Sequence, residues 1–172
     1  MAEARLSKPV SQMSQAEFLA AFGALYEHSP WVAQAVWADG LDADHDEPDT
    51  LHQAFRWAVM EAEEPRQLKM LRAHPQLAVR EAPLTAASSD EQAGAGLLQC
   101  SAQELAEFKE LNAAYFKRFG FPFIIAVKDL DRQAILAAFR RRMKASREEE
   151  FQVALEQVCR IGWHRLQAML DG

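Results

Sequence analysis

The sequence predicts an all-α fold, and three observations carry that prediction. Apolar residues recur at helical spacing along nearly all of the 172 residues. Helix-start signals punctuate the chain, either Ser followed three residues later by Glu or proline in a first turn. No segment shows the strict alternation of a half-buried strand, and only one short apolar run escapes the helical period. The length suits one domain spanning residues 1–172, expected as a single bundle of about seven to nine helices that buries its core without metal or disulfide support.

Each element has its own warrant. Ser14-Gln15-Ala16-Glu17 reads as a capping box ahead of Phe18, Leu19, Phe22 and Leu25. Ser29-Pro30 reads as cap and first turn of a short helix with Trp31 and Val32. After an acidic loop from Leu41 to Pro48, the run from Thr50 aligns Leu51, Phe55, Trp57 and Val59 in a helix. Glu64-Pro65 opens another, which carries Leu68 and Leu71 towards His74-Pro75. Ser88 to Glu91 is a further capping box, followed by small residues that permit close backbone approach. Ser101-Ala102-Gln103-Glu104 caps a longer helix through Phe108, Leu111 and Tyr115, ended by Gly120 as a left-handed cap. One helix follows from about Asp131 through Ile135 and Phe139. The last begins near Ser146 and runs through Phe151, Leu155, Val158, Ile161 and Leu166. The exception is Phe121-Pro122-Phe123-Ile124-Ile125-Ala126-Val127, whose proline disfavours a central strand. Such a segment is either a buried connector or a row of backbone N–H and C=O groups that a polar ligand would satisfy.

Composition excludes several partners. A net charge of -6 and the absence of Lys/Arg runs interleaved with aromatics argue against nucleic acid. No apolar run approaches the roughly 20 residues that span a bilayer, so no membrane partner is expected. Cys100 and Cys159 lie far apart, without metal-type spacing, and Met1 to Arg5 do not begin a signal peptide, so reduced thiols and a cytoplasmic location are expected.

The residue that best suits chemistry is His74. Proline at 75 removes a backbone donor and restricts the residue before it, so a helix ends on an imidazole with little backbone freedom. Such a group serves acid–base chemistry near neutral pH, although His-Pro also serves simply to end a helix. Arg140-Arg141-Arg142 is a solvated face by default. Asp42, Asp44, His45, Asp46, Glu47, Asp49 and His52 supply metal-type donors, but His45 and His52 fall across Pro48 and not at i, i+4 spacing. An acidic surface loop and no metal site are therefore expected, with a metal-binding protein as the alternative. A non-catalytic helical adaptor using Trp31, Trp37 and Trp57 is the other alternative, against which stands the usual place of such aromatics in a core. His28, His45, His52 and His164 are expected at the surface or as satisfied core residues.

As an ordered set, these pieces resemble the 2-oxo-4-hydroxy-4-carboxy-5-ureidoimidazoline (OHCU) decarboxylases of urate degradation. The matching segments are Leu71 to Ala78, Ser88 through Gln92 with Ala95-Gly96-Leu97, Leu111-Asn112 with Tyr115, Arg118 to Ile124, Ile135-Leu136 with Phe139, the arginine cluster, and Ala154-Leu155 to Arg165-Leu166. The resemblance implies an all-helical homodimer that needs no cofactor and takes a small-molecule ureidoimidazoline to S-allantoin. It implies His74 as catalytic acid/base. Glu91 would orient the imidazole or bond the ureido and ring N–H groups, and Arg142 would hold a carboxylate or ureido oxygen. Pro75, Ser88 and Gln92 would bind substrate, together with backbone groups of Phe123, Ile124, Ile125, Ala126 and Val127. Two departures stand out. Ala145 occupies the place of an asparagine common three residues after the functional arginine, which leaves Arg141 open beside Arg142. Glu81 and Pro83 give the segment before Ser88 its own composition.

Overall fold

Eight α-helices and three short 3-10 turns make up the regular structure of the computed structural model, which describes Leu6, residues 8–79 and residues 84–171; no strand occurs among the described residues. The chain divides into two compact units, one running to Ala73 and resuming at Cys159, the other His74–Val158.

The first unit holds α1 (Gln15–Phe22), α2 (Trp31–Asp39), α3 (Pro48–Met60), α4 (Glu64–Arg72) and the C-terminal part of α8 (Arg147–Asp171). Ser14 caps α1 in the expected capping box, accepting from the Glu17 N–H at 3.2 Å while the Glu17 carboxylate takes the Ser14 N–H at 3.1 Å. Ser29 departs from expectation. Its hydroxyl donates to the Glu27 carbonyl at 2.9 Å, and Pro30 is the cap of α2 without a side-chain bond. The apolar stripes of α1, α2 and α3 meet in an aromatic cluster in which the Phe18 ring lies 4.8 Å from Phe22, 5.6 Å from Trp37 and 6.1 Å from Phe55. Trp57, two residues from Phe55 and so on a different face of α3, is 61% exposed. Further along the chain, Arg165 of α8 donates to the Leu25 carbonyl at 3.1 Å and to the buried Glu27 carboxylate at 2.9 Å.

The second unit holds α5 (Ala86–Gly94), α6 (Ala102–Phe119), α7 (Arg132–Arg142) and the start of α8. Ser101 caps α6 reciprocally with Glu104, and Gly120 ends it at φ 83°, a left-handed conformation that costs a side-chain-bearing residue energy and glycine none. Asp131 caps α7 by accepting from the Ala134 N–H at 2.8 Å. The core is aromatic. Tyr115 makes edge contacts with Phe121, Phe123 and Phe139, and Phe123 stacks on Phe139 with centroids 3.9 Å apart. Between α6 and α7, residues 121–127 run without helix or strand, as the sequence requires.

Candidate active site

Helix α4 ends at Arg72, where the Ala73 N–H still reaches the Lys69 and Met70 carbonyls, and His74 follows as the first residue that proline prevents from continuing the helix. His74 is only 8% exposed. The backbone beyond Pro75 turns through Ala78 at φ 59°, a left-handed conformation costing a non-glycine residue about 1–2 kcal/mol. Three side-chain bonds hold it there. Gln92 accepts from the Ala78 N–H at 3.0 Å and donates to the Gln76 carbonyl at 3.4 Å, and Asn112 donates to the Leu77 carbonyl at 3.0 Å.

Gln92 reaches this loop from α5, whose start lies one turn earlier than the sequence suggests. Thr85 is the cap, accepting from the Ser88 N–H at 3.2 Å, so Ser88 lies inside the helix and does not cap it. Thr85 precedes its hydroxyl-rich neighbours at the spacing a cap requires, whereas Ser88-x-x-Glu91 matches the capping box without occupying its register. The shift places Ser88 and Gln92, four residues apart, on one buried face with Glu91 half-buried beside them.

The arginine cluster divides sharply by burial. Arg140 is exposed and pairs with Glu107 at 2.7 Å, Arg141 is exposed, and Arg142 is buried, against the default of a solvated face. The Arg142 Nε donates to Glu150 Oε1 at 2.6 Å, Nη1 donates to the Ile124 carbonyl at 2.7 Å, and the guanidinium lies 4.4 Å over the Phe123 ring. Nη2 lies 2.5 Å from the same Glu150 oxygen but lacks hydrogen-bond alignment, so this is an ion pair with one aligned N–H. Tyr115 completes the cluster by donating to Glu150 Oε1 at 2.7 Å. Burial, and then the bond to the carboxylate, push the Tyr115 phenol well above its ordinary range, so it stays a neutral donor. Glu150 was not legible as a site residue, because it closes the run Glu148-Glu149-Glu150 in the first turn of α8 and looks like dipole-stabilising surface charge.

Phe123, Ile124, Ala126 and Val127 are buried and Ile125 half-buried. Side chains hold two backbone groups of this irregular segment: the Ile124 carbonyl by Arg142, and the Ala126 N–H by Gln157 at 2.9 Å. Asn112 and Tyr115 are both buried and three residues apart on α6, so one helix face touches the loop after His74 and the Arg142 cluster. Glu81 and Pro83 lie outside the described residues.

The acidic segment is occupied with its own turns. The Asp42 N–H donates to His45 Nδ1 at 3.0 Å, and Asp46 takes the Ser11 N–H at 2.8 Å and the hydroxyl at 2.6 Å. Among the described residues no three His, Cys, Asp or Glu side chains gather as a metal-binding group. The tryptophans of the adaptor reading do not share one environment: Trp37 packs against Phe18, Trp31 lies under Arg66 at 5.0 Å, and Trp57 is exposed. His28 is exposed and the His52 ring lies 4.9 Å from Trp163. No helix among the described residues is long and apolar enough to cross a membrane.

Comparison with known proteins bears on the family and the fold. The family model described as OHCU decarboxylase matches residues 11–167. A 2-oxo-4-hydroxy-4-carboxy-5-ureidoimidazoline decarboxylase of Haloferax volcanii is 43% identical over 157 residues, 91% of each chain. A putative enzyme of the same name from Homo sapiens is 37% identical over 94% of this chain and 93% of its own. The fold matches the crystal structure of an (S)-allantoin synthase with TM-score 0.73 and 33% identity over 92% of this chain, which spans about half (52%) of that one. It also matches an OHCU decarboxylase crystallised in the presence of (S)-allantoin, with TM-score 0.72 over 88% of this chain and 97% of that one; at 22% identity this likeness concerns the fold alone.

Proposed function

The chain belongs to the OHCU decarboxylase family, and from that premise we propose that it decarboxylates 2-oxo-4-hydroxy-4-carboxy-5-ureidoimidazoline to (S)-allantoin in urate degradation, with His74 as its acid/base. The observation that carries this reading is the burial, within one compact unit, of His74, Ser88, Gln92 and Arg142, polar groups an apolar core excludes unless they serve something, with Arg142 bonded to the irregular backbone segment at Ile124.

The reaction breaks the bond between the ring carbon and its carboxylate. Carbon dioxide leaves, and the electron pair stays on a carbanion-like or enediolate-like centre that must be protonated on one face. His74 acts on the substrate hydroxyl or on the carbon being protonated, a role worth roughly 10²–10⁴-fold in rate. Glu91 orients the imidazole or takes the ureido and ring N–H groups, and Ser88 reads the adjoining polar edge. The Gln92 amide already serves the loop at both ends, so it meets substrate only with its remaining N–H and lone pair. Arg142 offers the N–H groups that Glu150 and Ile124 leave over to a carboxylate or ureido oxygen, in the planar fork that suits two-point contact. Arg142 is favoured over Arg141 because it is the buried member of the pair. Pro75 and backbone groups of Phe123 to Val127 close the cage. The protein works in the cytoplasm as a homodimer and needs neither cofactor nor metal.

The test is turnover of ureidoimidazoline generated in situ from urate, followed by circular dichroism. The wild type should form chiral allantoin far faster than the spontaneous, racemic decay, and folded His74→Ala should not exceed that decay. The same preparation should sediment as two chains and carry no stoichiometric metal. Wild-type turnover at the spontaneous rate would sink the reading.

A further inference from the structure

We propose that Asn112 is a positioning residue for His74, acting with Gln92 through the loop between them; this rests on His74 being the acid/base. Three consecutive residues, Gln76, Leu77 and Ala78, each have a backbone group bonded to a side-chain amide. Two helices supply those amides, Gln92 from α5 and Asn112 from α6. Only Pro75 separates the clamped residues from His74, and its ring fixes one backbone torsion. A displacement of the Leu77 carbonyl therefore passes to the imidazole with little to absorb it. The left-handed Ala78 turn makes the clamp necessary, since its conformation is unfavourable unless its neighbours are held.

Asn112 is placed for this task and poorly placed for a merely structural one. It is 4% exposed, and its Oδ1 is buried with no hydrogen-bond partner among the described residues, so the amide is kept inside by a single bond, the one to Leu77. A leucine of similar size would fill the space without burying an unpaired oxygen.

Misplacing a catalytic group by about 1 Å costs on the order of 100-fold in rate. Asn112→Leu should therefore lower kcat by roughly 10–100-fold and leave KM within about threefold, because substrate contacts are retained while proton transfer suffers. Asn112→Asp supplies an independent readout. Its ionised carboxylate repels the Leu77 carbonyl, whereas its protonated carboxyl has an O–H to donate in place of the Asn112 N–H. Its kcat relative to wild type at the same pH should rise as pH falls.

Wild-type kcat in Asn112→Leu, or a kcat ratio for Asn112→Asp that stays flat with pH, would overturn the proposal; if Asn112→Leu does not fold, the Asn112→Asp ratio decides alone. His74→Ala is measured alongside. If that variant turns over normally, the acid/base reading fails with it; if it is inactive while the Asn112 variants behave as wild type, only the positioning role fails.

Discussion

The residues that determine most in this chain are buried and charged, and their energetics differ from those of surface pairs. Glu150 and Arg142 have 1% and 9% of their side chains exposed, with Tyr115 donating to the same carboxylate oxygen. Removing one member of such a pair strands the other. Glu150→Leu should therefore destabilise the protein by about 3–5 kcal/mol in urea unfolding, whereas Glu150→Leu combined with Arg142→Met should recover most of that loss, because a fitted apolar pair is often as stable as a buried ion pair. The double variant should still lack turnover if Arg142 meets substrate. A double variant no more stable than Glu150→Leu alone would show that packing, and not the stranded charge, sets the cost. The sequence presents Arg140, Arg141 and Arg142 as three equal charges, and only the helical phase of α7 against Phe123 and Ile124 separates the buried one from its neighbours. His74 was legible because His-Pro constrains the backbone locally. Asn112 and Glu150 were not, since each becomes meaningful through a partner 35 or 8 residues distant.

Elements were legible where a local signal is read locally. The boxes at Ser14 and Ser101 and the left-handed Gly120 lie where the motifs put them, and α7 starts next to Asp131 as expected. Ser29 and Ser88 carried the right letters in the wrong register, because a hydroxyl caps only where its own residue is extended at the helix start, and Thr85 met that condition for α5 first. Close approach between elements was illegible for a related reason, since a glycine inside a helical period looks like a mere weakness. Gly162 in α8 is such a case: a β-carbon there would meet the Tyr26 ring at 2.7 Å, and Tyr26 is itself buried. Alanine normally gains up to about 1 kcal/mol over glycine within a helix. Overpacking at a buried ring costs about 1–3 kcal/mol, so Gly162→Ala should be destabilising by about 1 kcal/mol net. Gly94 has nothing within 4 Å of its would-be β-carbon, and Gly94→Ala should shift the midpoint the other way. Thermal unfolding of the two variants separates the cases, and a stabilised Gly162→Ala would mean that the Tyr26 ring yields.

For the whole molecule the fold class was legible from composition and period, while the division into two units was not, because α8 runs through both without a break in its pattern. Both units contribute groups whose ionisation is tied to folding, so stability should be bounded on both sides in pH. Glu17 is lowered from 4.5 to about 2, chiefly by its bond to Lys8 at 2.6 Å and then by Ser14. The Ser11 hydroxyl lowers Asp46, and the Ser101 N–H lowers Glu104. A carboxylate depressed in the fold stabilises it above the unfolded-state value, and that contribution fades as pH falls from about 4.5 towards 2. His52, lowered by burial, acts in the same direction from a higher pH, because the unfolded chain takes up its proton first, below about 6.5. At the other end, burial raises Tyr26 and Tyr115, so the unfolded state ionises near pH 10 while the fold keeps both phenols neutral, and stability falls as pH rises beyond that point. The unfolding temperature should therefore be flat between roughly pH 7 and 9 and decline on either side. Tyr26→Phe isolates one limb. Its hydroxyl is buried with no hydrogen-bond partner among the described residues, so its removal should cost nothing at neutral pH and make the alkaline decline shallower. An unchanged alkaline slope, with a loss of stability at pH 7, would show that the Tyr26 hydroxyl contributes a favourable interaction to the first unit and is not a desolvated burden there.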